Sequence, residues 1–173
     1  VKVLSIPEKV GGRFSVFSAV GLFPLACAQI NILELLEGAM EITNECLSLD
    51  SKTNIAALSA IFSYGQDKKG KNISENLFFH PELESLGKWY RQLAAESLGK
   101  DRKGFTPTVS LGSIDLHSIA QLYLGGPRDK FFTFVWADSK QNIKVPENTI
   151  TSVLNEIEGK SAEKVMYSIY EGV

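Results

Sequence analysis

The sequence has few cysteines and no surplus of basic residues, and each shortage excludes a class of protein. Its two cysteines, Cys27 and Cys46, have neither the number nor the spacing of a disulfide framework or a zinc site. We expect them to be buried free thiols of a reducing compartment. Eighteen basic and 20 acidic residues give a net charge of −2, without the positive surplus that nucleic-acid phosphates require. We therefore expect no nucleic-acid partner.

Long apolar runs are also missing. The most apolar stretch runs from Val16 to Ile32, but Gly21, Pro24 and Gln29 interrupt it, whereas a membrane span needs about 20 predominantly apolar residues. The charged and small-residue pattern of a secretory signal is not found either. We expect a soluble cytoplasmic protein, and the abrupt ends suggest a piece of a longer chain.

Several sequence motifs of common enzymes are absent. The chain has no GxGxxG dinucleotide loop, no P-loop, no HExxH zinc motif and no GxSxG nucleophile elbow. At 173 residues, one core could bury roughly 70% of the unfolded surface, and the length is short for two independent domains. We expect a single domain over residues 1–173.

Apolar periodicity predicts strands that alternate with helices. The strands are predicted at Val3–Ile6, Ile73–Phe79, Thr106–Leu111 and Phe131–Trp136. The first helix is predicted to start at Ser15 or a nearby residue, and later helices to be capped by Thr53 or to begin at Pro81. The other helical segments are Ile32–Ile42, Ile114–Leu124, Asn148–Glu158 and Ser161–Glu171. This alternation predicts a three-layer, doubly wound α/β fold with a mostly parallel sheet covered by helices.

Ligands of open α/β sheets gather at the carboxyl ends of strands, which directs attention to two loops. In the first, Gly11-Gly12-Arg13, a guanidinium stands beside a backbone that a ligand can approach closely. That arrangement suits a phosphate or the negative charge of an enediolate. The alternative is a surface arginine in a turn. The second loop begins at Gly112 and leads to His117.

Two further side chains could exchange protons. His117 lies near the start of a helix, where the macrodipole favours a neutral imidazole; the alternative is a capping or core histidine. Asp115 is expected to cap that helix. Glu96 lies at the end of another helix, where the dipole disfavours a carboxylate and where a base could abstract a proton next to a carbonyl; the alternative is a solvated glutamate. His80 is expected to be structural.

Three segments together resemble the phosphoglucose isomerase family. Val10–Leu22 resembles its VGGR signature, which is followed by an aromatic residue, serine and an SA(I/V)GL helix. Glu96–Lys100 resembles its ESxGK element, and Gly112–Tyr123 resembles its G(T/S)xxxH segment and the helix behind it. The resemblance covers the chain from about Val10 to Val135. It implies a sugar-isomerase (SIS) domain, the second of two in a longer enzyme.

The resemblance also implies roles for individual residues. Glu96 would move a proton between C2 and C1 of the open-chain sugar through a cis-enediol, converting glucose 6-phosphate to fructose 6-phosphate and back. Arg13, next to Gly12 in the substrate loop, would stabilise the negative charge of that intermediate. His117 would assist ring opening in the site of the neighbouring subunit of a homodimer. No metal and no organic cofactor is implied.

Two family features have no counterpart in the sequence. The preceding SIS domain, which holds the substrate phosphate, is not present, and the family's C-terminal lysine has no match because Lys160 and Lys164 lie in a different context. We therefore expect the isolated chain to be weakly active or inactive. Three alternatives stay open: a non-catalytic module that senses a phosphosugar, a bifunctional phosphoglucose and phosphomannose isomerase, and a purely structural interface unit.

Overall fold

The computed structural model describes residues 3–138, 143–147 and 156–173. The chain divides into two compact units, Val1–Gly70 and Lys71–Val173. None of the helices in the described ranges is both long and apolar enough to cross a membrane.

The regular secondary structure of the first unit is all helical in its described part. A 3₁₀ turn at Gly12–Phe17 leads into three helices: α1 at Ala19–Cys27, α2 at Ile32–Cys46 and α3 at Ile55–Lys68. Each helix begins at a side chain that accepts hydrogen bonds from the otherwise unpaired first backbone N–H groups. These caps are Ser18, Asn31 and Asn54.

Two local predictions for this unit need correction, and a third is confirmed. Val3–Ile6 is not a strand, because the described part of the unit offers only helices and turns, and a strand needs a neighbour for its backbone hydrogen bonds. The first helix is capped by a residue near Ser15, as predicted: the cap is Ser18, and Ser15 itself lies inside the 3₁₀ turn. The third helix is capped by Asn54, one residue after the predicted Thr53, whose hydroxyl donates to the Asp50 carbonyl instead.

The second unit contains a parallel sheet. Its strands are β1 at Ile73–Phe78, β2 at Thr106–Leu111 and β3 at Lys130–Val135, in the order β2-β1-β3. Its helices are α4 at Glu84–Leu98, which follows a 3₁₀ turn at Pro81–Leu83, α5 at Gly112–Gly125 and α6 at Ala162–Glu171. The predicted three-layer α/β fold is confirmed. The predicted helix Asn148–Glu158 lies mainly outside the described residues, and 156–159 form a turn.

Helices cover both faces of the sheet. Consecutive strand residues point to opposite faces, so neighbouring residues of one strand contact different helices. On β2, Val109 faces Gly87 of α4, whereas the next residue, Ser110, forms a 3.1 Å hydrogen bond with Tyr123 of α5. The chain thus runs from β1 to β2 on one side and then crosses to β3 on the other side of β1. Because both crossovers are right-handed, their helices lie on opposite faces of the sheet.

The core lies along β1 and the side chains next to it. Leu77, Phe78, Phe79 and Phe131 are each at most 4% exposed. Phe79 packs edge-on against Tyr170 of α6 at 5.1 Å between ring centroids. Full burial of one such aromatic side chain stabilises the fold by roughly 1.5–3 kcal/mol. The central strand is therefore the most firmly held part of the second unit.

Candidate active site

Arg13 lies in the 3₁₀ turn of the first unit. Its guanidinium carbon is 4.6 Å from the centroid of the Phe14 ring. Two serine hydroxyls donate hydrogen bonds inside the turn, Ser15 Oγ to the Gly12 carbonyl at 2.7 Å and Ser18 Oγ to the Ser15 carbonyl at 2.6 Å. These bonds fix the backbone that carries Arg13. The turn does not follow a strand, so the carboxyl-end rule that selected it does not apply here.

Gly12 in the 3₁₀ turn and Gly21 in α1 differ in how much space surrounds them. A Cβ built at Gly21 would lie 2.1 Å from the Val16 carbonyl oxygen, so only glycine allows α1 to pack under the turn. A Cβ built at Gly12 would meet nothing within 4 Å. The space beside Gly12 and Arg13 is therefore open within this unit, and a ligand could approach the backbone there.

Glu96 lies in the last turn of α4, as the sequence predicted, and its side chain is exposed. Gln92, one turn earlier, donates from Nε2 to Glu96 Oε1 at 2.9 Å. This i,i+4 bond restricts the rotamers of the carboxylate. A carboxylate carried by a regular helix and oriented by an amide is suited to act as a base at a fixed position.

His117 lies in the second turn of α5, which starts directly at the end of β2, and its ring is exposed. Asp115 Oδ2 accepts a 2.6 Å hydrogen bond from the Leu111 backbone N–H at the start of the helix. Asp115 is thus not the N-cap that was expected, because the N-cap is Leu111; its carboxylate instead reaches back from inside the first turn to the Leu111 N–H. A carboxylate at this end also complements the helix dipole.

The second unit does not bring Glu96 and His117 together. The two residues lie on α4 and α5, which cover opposite faces of the sheet. Glu96 follows Gly87 by nine residues, or about 13 Å along α4 toward the amino ends of the strands. His117 is about 8 Å along α5 from its start at the carboxyl end of β2. A single chain therefore presents the two groups on different sides of the sheet.

A buried polar cluster of the second unit was not predicted. Glu75, on the central strand, is only 3% exposed, and its Oε2 accepts a hydrogen bond from the Thr108 hydroxyl. Its Oε1 has no hydrogen-bond partner in the described part of the chain. The Ser110 and Tyr123 hydroxyls pair nearby at 3.1 Å. The available signal was a glutamate within an otherwise buried strand.

Burial is the main reason that the pKa of Tyr123 rises from 10.0 to about 12. The hydrogen bond from Ser110 acts in the opposite direction, whereas the charges of Glu75 and Asp115 add to the rise. The phenol of Tyr123 is therefore neutral at physiological pH and is available as a hydrogen-bond donor.

A cavity of about 130 Å³ opens near the carboxyl ends of β1 and β3. Phe79, His80, Ile143 and Met166 are among its lining residues. The His80 ring contacts Trp136 edge-on at 4.8 Å, and His80 Nε2 has no hydrogen-bond partner among the described residues. The cavity does not include Glu96 or His117.

The remaining predicted site features concern metals and thiols. In the described ranges no three His, Cys, Asp or Glu side chains are grouped to hold a metal ion. Both cysteines are free, as expected. They are not buried, however: Cys27 is exposed and Cys46 is half-buried, because the faces of α1 and α2 that carry them are not covered within this unit.

Comparison with known proteins gives consistent matches. The sequence model of the family described as phosphoglucose isomerase matches residues 1–126. The chain is 47% identical over 135 residues to the glucose-6-phosphate isomerase of Methanocaldococcus jannaschii, covering 78% of this chain and 34% of that protein. It is 37% identical over 170 residues to the glucose-6-phosphate isomerase of Streptococcus pyogenes serotype M6, covering 97% and 38%.

A solved structure shares the fold. The crystal structure of a hypothetical protein from Thermus thermophilus matches with a TM-score of 0.89 at 30% identity, over 96% of this chain and 41% of that one. The chain thus spans between a third and two fifths of the length of the curated relatives it matches.

Proposed function

Because the chain belongs to the phosphoglucose isomerase family, we propose that it provides acid–base machinery for interconverting glucose 6-phosphate and fructose 6-phosphate. The observation that carries this proposal is the extent of the family match. Residues 1–126 include Arg13, Glu96 and His117, the three groups that the chemistry needs. The name of the relatives, glucose-6-phosphate isomerase, supports glucose 6-phosphate as one member of the proposed substrate pair.

In the proposed reaction, Glu96 takes the proton from the sugar carbon next to the carbonyl and returns it to the neighbouring carbon. The intermediate is a cis-enediol, so the carboxylate must reach both carbons from one side. The hydrogen bond from Gln92 supports this role because it orients the carboxylate before the substrate arrives. A positioned acid–base group of this kind accelerates proton transfer by roughly 10²- to 10⁴-fold.

Arg13 is proposed to stabilise the negative charge that develops on the enediolate oxygens. A guanidinium keeps its charge at all physiological pH values and offers several donors in a fixed plane. The hydrogen bonds of Ser15 and Ser18 support it by holding the turn in place before substrate arrives. The open space beside Gly12 lets the sugar approach the backbone. Such preorganised groups stabilise a transition state without rearranging.

His117 is proposed to assist ring opening, and to do so in the site of a second subunit. The separation of Glu96 and His117 on opposite faces of one sheet supports this assignment, since one chain would have difficulty presenting both to the same sugar. Carboxylate, guanidinium and imidazole together supply proton transfer and charge stabilisation. The proposal therefore assigns no metal and no organic cofactor.

The decisive experiment is a coupled assay of fructose 6-phosphate conversion by the full-length protein that contains this chain. Glu96→Gln preserves shape and removes the base, so we expect kcat to fall about a thousandfold, within the range for a lost proton-transfer group. The matched control is Glu84→Gln at the other end of α4, which removes only an exposed ion pair with Lys88 and should leave kcat unchanged.

Unchanged activity of Glu96→Gln would contradict the role of this carboxylate. A full-length protein that binds the sugar phosphate but does not convert it would favour a phosphosugar-sensing module. Conversion of mannose 6-phosphate in the same assay would favour the bifunctional isomerase.

A further inference from the structure

The central strand of the second unit carries a carboxylate that the proposed chemistry does not use. Glu75 is 3% exposed, and its neighbours on the same face of β1, Leu77 and Phe79, are apolar and 1% exposed each. Removal of a carboxylate from water costs several kcal/mol even after relaxation, on the order of the stability of a whole small domain. Hydrophobic burial therefore does not explain why this carboxylate lies in the core.

Three hydroxyl groups stand around this carboxylate, and with it they form what we call the Glu75 cluster: Glu75, Thr108, Ser110 and Tyr123. Thr108 pairs directly with Glu75 across β1 and β2, and its hydroxyl donates to Glu75 Oε2. Ser110, two residues along β2, bonds to the Tyr123 hydroxyl at 3.1 Å. Tyr123 is the member contributed by α5, and it is close enough for the charge on Glu75 to affect its ionisation.

The Glu75 cluster attaches the second half of α5 to the sheet. The Tyr123 ring also packs edge-on against Phe132 of β3 at 5.1 Å, so this residue contacts both outer strands. The first half of α5 is held separately, by the bond between Asp115 and the Leu111 N–H. These two attachments oppose tilting and rotation of the helix on the sheet.

His117 lies between the two attachments. It follows the start of α5 by five residues and precedes Tyr123 by six, about 9 Å along the helix axis. Loss of the Tyr123 attachment would loosen the second half of α5 on the sheet, and the exposed imidazole would move with the helix. A displacement near 1 Å can cost up to roughly a hundredfold in rate when a reacting group must be aligned.

We propose that the Glu75 cluster is a positioning device, which fixes α5 on the sheet and thereby sets the place from which His117 acts. The inference rests on the proposed role of His117 in ring opening. Glu75 and Tyr123 are positioning residues in this scheme, and neither touches substrate. The carboxylate serves because its Oε2 accepts the hydrogen bond of Thr108 on β2, while its charge lies close enough to the Tyr123 phenol of α5 to affect that group.

The test uses the full-length protein with two conservative variants. Tyr123→Phe removes one hydroxyl and keeps the ring that packs on Phe132, and Glu75→Gln keeps the shape of the buried side chain. We expect each to lower kcat for the cyclic sugar phosphate about tenfold, within the range for a misplaced group, while KM changes less than about twofold because substrate-binding groups are untouched. The matched control, Tyr90→Phe on α4, should leave kcat unchanged.

A double-mutant cycle separates positioning from mere stability. If the cluster acts through His117, Tyr123→Phe should cause no further loss of kcat when it is added to His117→Gln. An equal loss with and without His117 would overturn the inference, and so would full kcat in both Tyr123→Phe and Glu75→Gln. A wild-type protein without isomerase activity would instead refute the proposed function, and with it the role given to His117.

Discussion

At the scale of single residues, the exposed and the buried ionisable groups serve different ends. Glu96 and His117 are exposed on helices, where a substrate can reach them. Glu75 lies buried on the central strand and Tyr123 faces the sheet from α5, and both contact other protein groups. Burial alone is therefore a poor guide to the proposed catalytic groups of this chain, and the buried carboxylate of Glu75 belongs to the proposed positioning cluster.

Tyr123 gives the chain a specific sensitivity to alkaline pH. Burial raises its pKa from 10.0 to about 12, so the folded chain holds this proton after the unfolded chain has released it. The stability from the neutral phenol is complete below pH 10.0 and is lost as the pH approaches about 12. We expect the free energy of unfolding, measured with denaturant, to fall over this interval, and Tyr123→Phe to flatten the fall.

The control for this measurement is Tyr64→Phe, which removes a phenol that is 64% exposed. In this variant the free energy of unfolding should fall with alkaline pH as steeply as in the wild type. If the free energy of unfolding of Tyr123→Phe fell equally steeply, the phenol of Tyr123 would not be the group that causes the loss of stability.

The site residues could be found from the sequence only in part. Arg13, Glu96 and His117 stand out through the motifs around them, and each has an ordinary alternative when it is considered alone. Glu75 was missed because a glutamate in an apolar run weakens a strand prediction, and its hydroxyl partners on β2 and α5 are 33 to 48 residues away along the chain. Periodicity describes one element at a time and does not identify partners across elements.

At the scale of elements, close packing of α4 against the sheet depends on one glycine. A Cβ built at Gly87 would lie 2.7 Å from both Phe78 Cε2 and Val109 Cγ1. Such an overlap forces the helix away from two strands at once. The amphipathic pattern of α4 predicted the helix correctly, but the sequence did not indicate that its contact with the sheet would be this tight.

We expect Gly87→Ala to destabilise the chain by up to about 2 kcal/mol, because overpacking costs about 1–3 kcal/mol and the helix-propensity gain offsets about 1 kcal/mol of it. Gly38→Ala in α2 is the matched control, since a Cβ there meets nothing within 4 Å. That variant should stabilise α2 by up to about 1 kcal/mol. Denaturant unfolding of both variants checks that the free energy of unfolding falls in Gly87→Ala and rises in Gly38→Ala. Equal changes in the two variants would contradict the packing argument.

Strand predictions succeeded where the structure supplies a partner and failed where it does not. The apolar runs at β2 and β3 each pair with β1, and all three strands were predicted. Val3–Ile6 has similar strand propensity but is exposed, with Val3 at 83%. Propensity is local, whereas a strand is completed by hydrogen bonds to another segment.

At the scale of the whole molecule, the helices of the first unit leave many large apolar side chains uncovered. Phe23, Met40 and Ile61 are 58%, 66% and 62% exposed, on α1, α2 and α3 respectively. Exposed apolar surface of this extent marks contacts with other protein surfaces. The curated relatives are between two and a half and three times as long as the matched region, so a longer protein has material to cover these faces.

We expect the isolated 173-residue chain to bind a hydrophobic dye such as anilinonaphthalene sulfonate and to show little or no conversion of fructose 6-phosphate. The full-length protein, at equal molar concentration, should bind less dye and be active. An isolated chain with full activity would contradict the view that part of the site lies elsewhere.

The placement of Glu96 and His117 on opposite faces of one sheet has a consequence in genetics. In the proposed dimer, each site takes Glu96 from one chain and His117 from the other, so the alleles Glu96→Gln and His117→Gln each inactivate both sites when expressed alone. A hybrid dimer of the two retains one site with both groups intact. Random pairing in a diploid or a merodiploid should therefore restore about a quarter of wild-type activity, which follows from two-fold symmetry. Two defective alleles would complement each other, although neither encodes a working enzyme.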